Sequence, residues 1–214
     1  GPGKVLVDAD YSQIELRLLA HMAEDEHMIG AFRTGEDIHT ITASQVFGVE
    51  PDQVTGEMRR RAKAVNFGIV YGISPFSLSQ DIGVTVAEAK EYMDKYFAHY
   101  AGVRAYMDAV VEQAREQGFV STLYGRRRWV PELKSSNFNT RSFGERVALN
   151  MPIQGTAADI IKLAMLRVRD RLKAEGLQGQ LVLQVHDELI VECPAEESEL
   201  VQRLVNCLLY TSPS

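Results

Sequence analysis

Short apolar runs near both ends of the chain carry acidic residues, and these runs constrain the fold most. The stretch KVLVDAD, Lys4–Asp10, predicts a buried strand that ends in carboxylates. The stretch QLVLQVHDELIVECP, residues 180–194, predicts two strands that flank His186–Glu188. Helical periodicity dominates between them, and alternating residues around Gly125 predict a hairpin. The chain is therefore predicted to be an α+β protein.

Local signals predict where several helices begin and end. Asp37–Phe47 is predicted to be a helix that Gly48 ends, and a further helix is predicted from about Gly56 to Tyr71. Thr85 with Glu88 forms a capping-box pattern at the start of another helix. Gly102 is expected to interrupt that helix, and Pro152 to break or kink a long helical stretch that Gly176 ends.

Composition bounds the class of protein. The 214 residues, 45% of them hydrophobic, suit one large domain or one and a half ordinary ones and argue against disorder. No apolar stretch is long enough to cross a bilayer, so no membrane partner is expected. Cys193 and Cys207 are too few for a disulfide framework or a zinc site, which favours a reducing cytoplasm. The net charge of −6 argues mildly against nucleic acid, yet Arg59–Lys63 and Arg126–Arg128 are basic clusters.

Asp10, Asp187 and Glu188 are the first candidates for chemistry. Magnesium ions take oxygen ligands, often from only one or two carboxylates together with substrate phosphates. Two such ions can stabilise both the attacking and the leaving oxygen of a phosphoryl transfer. Asp8 shares a strand face with Asp10, but we interpret it as merely solvated. Turn chemistry also favours aspartate, so the acids alone leave a purely structural role open.

A helix with basic and aromatic residues is the second candidate. Residues recur every four positions on one face of the predicted helix RRRAKAVNFGIVYG: Arg59, Lys63, Phe67 and Tyr71. Cations at one end and rings at the other match the triphosphate and the base of a nucleotide. An ordinary amphipathic helix remains the alternative. Gly68 and Gly72 favour a close approach or a hinge, since glycine inside a helix costs about 1 kcal/mol relative to alanine.

Further polar residues have weaker support. Arg146, Asn150 and Gln154 also recur every four residues and could contact a nucleic-acid groove, but a polar helix face has the same pattern. His39 stands alone near a helix start, where capping or packing is the ordinary role. The basic loop YGRRRW could contact phosphates or simply be solvated.

The motifs together resemble a known family. DADYSQIELRLLAH, RRRAKAVNFGIVYG and QVHDELIV, in this order and spacing, resemble the three signature motifs of family A DNA polymerases, the bacterial DNA polymerase I type. GEDIHTITA, LYGRRRW and NMPIQGTAADIIK match further family segments, and the resemblance covers residues 4–205. It implies DNA-directed DNA synthesis in replication or repair, by attack of a primer 3′-hydroxyl on a nucleotide α-phosphate.

The resemblance implies catalytic roles. Asp10 and Asp187 would bind two Mg²⁺ ions, with help from the backbone around Tyr11, and Glu188 would support them. Lys63 would contact the triphosphate and donate a proton to pyrophosphate.

The resemblance also implies binding roles for the other residues. Glu15 would exclude a ribose 2′-hydroxyl, and Phe67 predicts discrimination against dideoxynucleotides, because a tyrosine hydroxyl there could replace a missing 3′-hydroxyl. The nucleotide would be bound by Tyr11, Gln13, Glu15, His39, Arg59, Lys63, Phe67 and Tyr71. Primer-template DNA would be bound by Arg146, Asn150, Gln154 and His186.

The implied fold is a polymerase palm, an antiparallel sheet with carboxylates, plus mostly helical fingers, incomplete at both ends. Residues 1–38 would be palm with the first metal-binding aspartate, and 39–145 fingers, with the nucleotide-binding helix near 56–72. Residues 146–206 would be the returning palm with the His-Asp-Glu hairpin, and 207–214 an aberrant tail. We expect a monomer that is weakly stable and inactive as this fragment.

Two rival functions remain open on the sequence. A two-metal nuclease also needs clustered acids, but it has no use for a nucleotide-length helix of cations and rings or for Glu15. A DNA-binding remnant would keep the basic clusters without the chemistry. The retained Asp10 and Asp187 argue against such a remnant.

Overall fold

The computed structural model describes residues 3–210, with Tyr210 described by its backbone alone. Its strands are β1 (Lys4–Asp10), β2 (Phe119–Ser121), β3 (Arg127–Trp129), β4 (Gln180–Val185) and β5 (Glu188–Pro194). Its α-helices are α1 (Ile14–Met22), α2 (Glu26–Thr34), α3 (Ile38–Phe47), α4 (Gly56–Val70), α5 (Pro75–Ile82), α6 (Val86–His99), α7 (Ala101–Gln117), α8 (Phe138–Ala174) and α9 (Ser198–Tyr210). The predicted α+β class is confirmed.

The chain divides into two compact units, which we call the sheet unit and the helical unit. Among the described residues, the sheet unit joins those up to Ile14 to those from Ala157 onwards, and the helical unit is the continuous stretch 15–156. These boundaries fall inside α1 and α8. The division into palm and fingers at residues 38/39 and 145/146 stays a prediction.

The sheet unit is built on an antiparallel sheet with the order β1-β5-β4. Val7 and Ala9 of β1 pair with Val191 and Leu189 of β5, and all four side chains are buried on one face. Helix α9 packs beside β1 and β5 and contributes to the same core. The alternation of strand residues places Leu6, Asp8 and Asp10 on the opposite, exposed face.

The helical unit has its own core. Helix α3 packs against α4 and α6, and α5 packs against α4 and α6. Tyr96 and Tyr100 are fully buried there, with ring centroids 4.9 Å apart. The hairpin β2–β3 forms as predicted around Gly125, whose φ of 79° is easy for glycine.

The local helix signals are mostly confirmed. Asp37 caps α3 and Gly48 ends it, while Thr85 and Glu88 form both hydrogen bonds of the capping box at α6. The predicted interruption at Gly102 is wrong, because the break lies at Tyr100 and α7 already contains Gly102. A side chain at Gly102 would meet the Ala23 carbonyl at 2.9 Å, so the glycine serves close packing instead.

Helix α8 is continuous through Pro152, so of the predicted break or kink the break does not occur, and the kink stays a prediction. Ala148 and Ile153, on either side of the proline, are buried, and this packing stabilises helical backbone that local preference disfavours. The predicted aberrant tail lies partly outside the described residues, which include 207–210 in α9 but not 211–214. Within residues 3–210, no helix combines the length and apolar character needed to span a membrane.

Candidate active site

The carboxylates of the sheet unit converge where β1 ends and β5 begins. Asp10 is the last residue of β1 and lies opposite Glu188, the first residue of β5. The Tyr11 backbone N–H donates to the Asp187 carbonyl oxygen over 3.0 Å, which ties the two strand ends together. The carboxyl groups of Asp10 and Asp187 are close enough to hydrogen-bond. The structure therefore brings together acids that are far apart in sequence.

Electrostatics at this strand end favour a cation. Burial raises the pKa of Asp10 above its usual 3.8, and the charges of Asp187, Glu188 and Asp8 raise it further. A bound divalent ion would relieve this repulsion. Among the described residues, no cluster of three or more histidine, cysteine or acidic side chains is arranged to hold a metal. Two carboxylates are a ligand set that magnesium ions accept when phosphate oxygens and water supply the remaining ligands.

The neighbouring turns hold unusual backbone. His186 and Gln13 have φ angles of 52° and 59°, in the left-handed region that few residues other than glycine adopt. Such strain concentrates at functional sites. The His186 side chain is exposed, whereas the Tyr11 side chain is buried, so Tyr11 contributes to the strand end mainly through its backbone.

The predicted stripe of cations and rings forms along α4. The Lys63 ammonium lies 5.9 Å from the Phe67 ring centroid, and the Phe67 and Tyr71 rings lie 6.5 Å apart, nearly parallel. Tyr71 directly follows the helix, and its hydroxyl donates to the Glu15 carboxylate over 2.9 Å. Glu15 therefore lies beside the aromatic end of the stripe.

The cationic end of the stripe has an acidic partner that the sequence reasoning missed. Arg59 donates from Nε and Nη2 to the two carboxylate oxygens of Asp37, over 2.6 and 3.1 Å. Burial raises the pKa of Asp37, but hydrogen bonds from Arg59 and Thr40 outweigh it and lower the pKa to about 2. The sequence marks Asp37 only as the predicted start of a helix, and its ion pair across 22 residues has no local signal.

His39 belongs to a buried polar group rather than to a helix cap. Its side chain is only 2% exposed, and its Nδ1 lies 3.0 Å from the side-chain nitrogen of Asn66 in α4. The His39 and Phe67 ring centroids are 5.9 Å apart. Asn66 lies within a recognised motif, but the sequence reasoning assigned it no role.

The two glycines near the end of the stripe do allow close approaches. A Cβ at Gly68 would lie 2.7 Å from Cγ2 of Ile73, and one at Gly72 would lie 3.0 Å from Leu149. Gly72 also has a φ of 66°. Both glycines are therefore required for packing around the turn that follows α4.

The predicted DNA-binding residues are divided between the units. Arg146, Asn150 and Gln154 all lie on α8 within the helical unit, and Arg146 and Gln154 are exposed. The Asn150 side-chain oxygen is buried and makes no hydrogen bond within the described part of the chain. His186 belongs to the sheet unit.

Known proteins match this chain closely. The family model described as DNA polymerase family A matches residues 1–213. DNA polymerase I of Geobacillus stearothermophilus is 57% identical over 204 residues, which are 95% of this chain and 23% of that protein. DNA polymerase I of Caldicellulosiruptor bescii is 54% identical over 203 residues, which are 95% of this chain and 24% of that protein. The chain thus spans about a quarter of the length of these relatives.

A solved structure agrees with the sequence matches. The polymerase domain of Pol1 from M. smegmatis, in complex with DNA primer-template and dNTP, superposes with a TM-score of 0.94. It is 48% identical, and the match covers all of this chain and 38% of that one. The matched family model and the matched fold lead to one conclusion: the chain belongs to DNA polymerase family A.

Proposed function

We propose that the chain is the catalytic segment of a template-directed DNA polymerase that extends a primer with deoxynucleoside triphosphates. The observation that carries this proposal is the convergence of Asp10 and Asp187 where adjacent strands meet. The names of the relatives and the primer-template and dNTP in the M. smegmatis complex support the same activity. We place the chain in the cytoplasm as a monomer, acting in replication or repair.

Polymerases of this family use divalent metal ions. We assign two Mg²⁺ ions to Asp10 and Asp187, with the backbone at Tyr11 as a further ligand and Glu188 in support. When bound, these ions would lower the cost of negative charge on the attacking and leaving oxygens. The carboxylates themselves are held rigidly by strand pairing and by the Tyr11–Asp187 hydrogen bond.

The residues along α4 would hold the nucleotide. Arg59 and Lys63 would bind the triphosphate, and Arg59 would leave Asp37 to do so. The primer 3′-hydroxyl would give up its proton to solvent water while its oxygen forms a bond to the α-phosphorus and the bond from that phosphorus to the bridging oxygen breaks. Lys63 would then give a proton to the departing pyrophosphate, which neutralises its new charge.

The remaining residues would position the base, the sugar and the duplex. Phe67 and Tyr71 would pack on the sugar and the base, and Glu15, held by Tyr71, would exclude a 2′-hydroxyl. Gln13 and His39 would complete the nucleotide site. We assign primer-template contacts to Arg146, Asn150, Gln154 and His186. Rotation of α4 would close over a correct nucleotide.

Primer extension tests this proposal. Residues 4–205 are placed in the corresponding position of the G. stearothermophilus polymerase, and extension of a recessed primer is measured with Mg²⁺ and all four deoxynucleotides. We expect extension by this chimera, a loss of at least about 1,000-fold with Asp187→Asn, and little change with Asp81→Asn, which removes an exposed charge in α5. The 214-residue chain is assayed alongside.

The other outcomes separate the rival functions. A folded chimera that binds primer-template but does not extend it contradicts the proposal and favours a DNA-binding remnant. Shortening of the primer without nucleotides favours a nuclease. Mn²⁺ binding, followed by electron paramagnetic resonance of the free ion, tests the metal ligands separately, because Asp187→Asn should weaken it and Asp81→Asn should not.

A further inference from the structure

A chain of buried polar groups leads to the His39 ring. The Thr42 hydroxyl lies 3.4 Å from the Tyr100 hydroxyl and donates to the side-chain oxygen of Asn66 over 3.1 Å. The side-chain nitrogen of Asn66 lies 3.0 Å from Nδ1 of His39. Thr42 and Asn66 are fully buried, so water does not compete for these groups.

The donors in this chain determine which nitrogen of His39 carries the proton. An amide nitrogen can only donate a hydrogen bond. Because Thr42 donates to the amide oxygen, the amide nitrogen is directed at His39, and Nδ1 must be the acceptor. Nδ1 therefore carries no proton.

Burial, with help from two neighbouring cations, favours the neutral form of the His39 ring. Burial lowers its pKa, Asp37 raises it, and Arg59 and Lys63 lower it further, to about 4. A neutral ring with a bare Nδ1 carries its single proton on Nε2. Within residues 3–210, the ring makes no second hydrogen bond that would use this proton.

We propose that Asn66 is a positioning residue that holds His39 as the Nε2–H tautomer, so that the ring donates a hydrogen bond to a phosphate oxygen of the incoming nucleotide. This inference rests on the proposed function. The opposite tautomer would present a lone pair at Nε2, which repels a phosphate oxygen. A neutral donor can thus act beside Arg59 and Lys63 without adding a third positive charge.

Nuclear magnetic resonance of ¹⁵N-labelled histidine tests the tautomer directly. The chain has five histidines, and His39→Gln identifies the resonances of His39. We expect the unprotonated shift at Nδ1 and the N–H shift at Nε2. The same spectra recorded on the polymerase chimera give the answer even where the 214-residue chain folds poorly. A proton on Nδ1 of the unaltered protein would overturn the proposal.

Two variants alter the tautomer through different groups. Asn66→Asp keeps the shape but replaces the donor by an acceptor, so the neutral ring should move its proton to Nδ1. Thr42→Val removes the hydroxyl that orients the amide and should give a mixture of tautomers. Asn206→Asp, at an exposed position of α9, adds the same charge and should change neither nitrogen.

The pH dependence of nucleotide use tests whether the tautomer matters for the reaction. In the chimera with Asn66→Asp, a protonated His39 still has Nε2–H, but a neutral one does not. The KM of this variant chimera for deoxynucleotides should therefore rise as pH rises through the new pKa of His39. The expected rise is about tenfold or more, relative to the unaltered chimera. Loss of a merely structural contact would raise KM equally at every pH.

The outcomes distinguish this inference from the proposed function. A switched tautomer together with an unchanged KM profile in an active chimera overturns the role of Asn66. An inactive unaltered chimera contradicts the proposed polymerase activity, while the ¹⁵N spectra still decide whether Asn66 sets the tautomer.

Discussion

At the scale of residues, the acids that meet in the sheet unit repel one another. Asp10 lies near three other acids, and its pKa is raised first by burial and then by Asp187, Glu188 and Asp8. Ionising Asp10 is therefore harder in the folded chain than in the unfolded chain. Such a site is expected to destabilise the protein when no cation is bound.

We predict that Asp10→Asn raises the thermal midpoint at pH 7 in the absence of divalent metal. The pKa of Asp10 is higher in the folded chain than in the unfolded chain, so protonation of Asp10 favours the folded chain. This contribution to stability is fully present below pH 3.8 and is lost as pH rises. The advantage of the variant should thus be largest at neutral pH and shrink towards pH 4, as measured by thermal unfolding followed by circular dichroism. An increase of a few degrees is expected, since about 1 kcal/mol shifts the midpoint of such a chain by roughly 2–4 °C.

The control for this prediction is Asp81→Asn, which removes one exposed negative charge from a chain with a net charge of −6. If Asp81→Asn stabilises as much as Asp10→Asn, the cause is the net charge and the local argument fails. Added Mg²⁺ should also reduce the difference between Asp10→Asn and the unaltered chain.

At the scale of elements, the start of α8 packs directly against the turn that follows β3. A Cβ at Gly144 would lie 2.9 Å from both Cβ of Glu132 and the backbone nitrogen of Leu133. Those atoms belong to the short 3₁₀ helix Pro131–Lys134, whose Leu133 is buried in a core with Val120, Val130 and Ala148. The glycine lets the helix approach this backbone.

We predict that Gly144→Ala lowers the free energy of unfolding by about 1–3 kcal/mol, because backbone has to move to accept the methyl group. Gly30→Ala is the matched variant, since it also lies inside a helix but has no atom within 4 Å of the added Cβ. It should stabilise by about 0.5–1 kcal/mol through helix propensity. Urea unfolding measures both, and equal effects of the two substitutions would contradict the packing argument.

At the scale of the whole molecule, the two units differ in whether they are continuous in sequence. The helical unit is one continuous stretch, whereas the sheet unit needs segments from both ends of the chain. The helical unit also has an extensive core of its own, with Val65, Val103 and Tyr96 fully buried.

We predict that residues 15–156, expressed alone, fold cooperatively, because they form one continuous compact unit with buried residues of their own. Thermal unfolding followed by circular dichroism should show a single sigmoidal transition. Val103→Asp, which places a charge in this core, should abolish the transition. A gradual, non-cooperative loss of helix from the unaltered segment would show that it needs the rest of the chain.

Much of the fold was predictable because its signals are local. The Thr85–Glu88 capping box, the end of α3 at Gly48 and the hairpin at Gly125 each involve residues within a few positions of one another. The four-residue recurrence along α4 likewise specifies which side chains share a face. The motifs predicted the family, and the match to the family model confirmed it. The sequence by itself thus determined the α+β class, the candidate residues and the family.

Tertiary structure decided what depends on contacts between distant residues. The Asp37–Arg59 ion pair, the Asn66–His39 hydrogen bond and the meeting of Asp10 with Asp187 join positions from 22 to 177 residues apart. Packing also overrode local preference when α8 continued through Pro152 and when the helix break fell at Tyr100 rather than Gly102. Local pattern describes only neighbours along the chain, whereas burial and long-range hydrogen bonds set the charge, tautomer and partner of each side chain in the site.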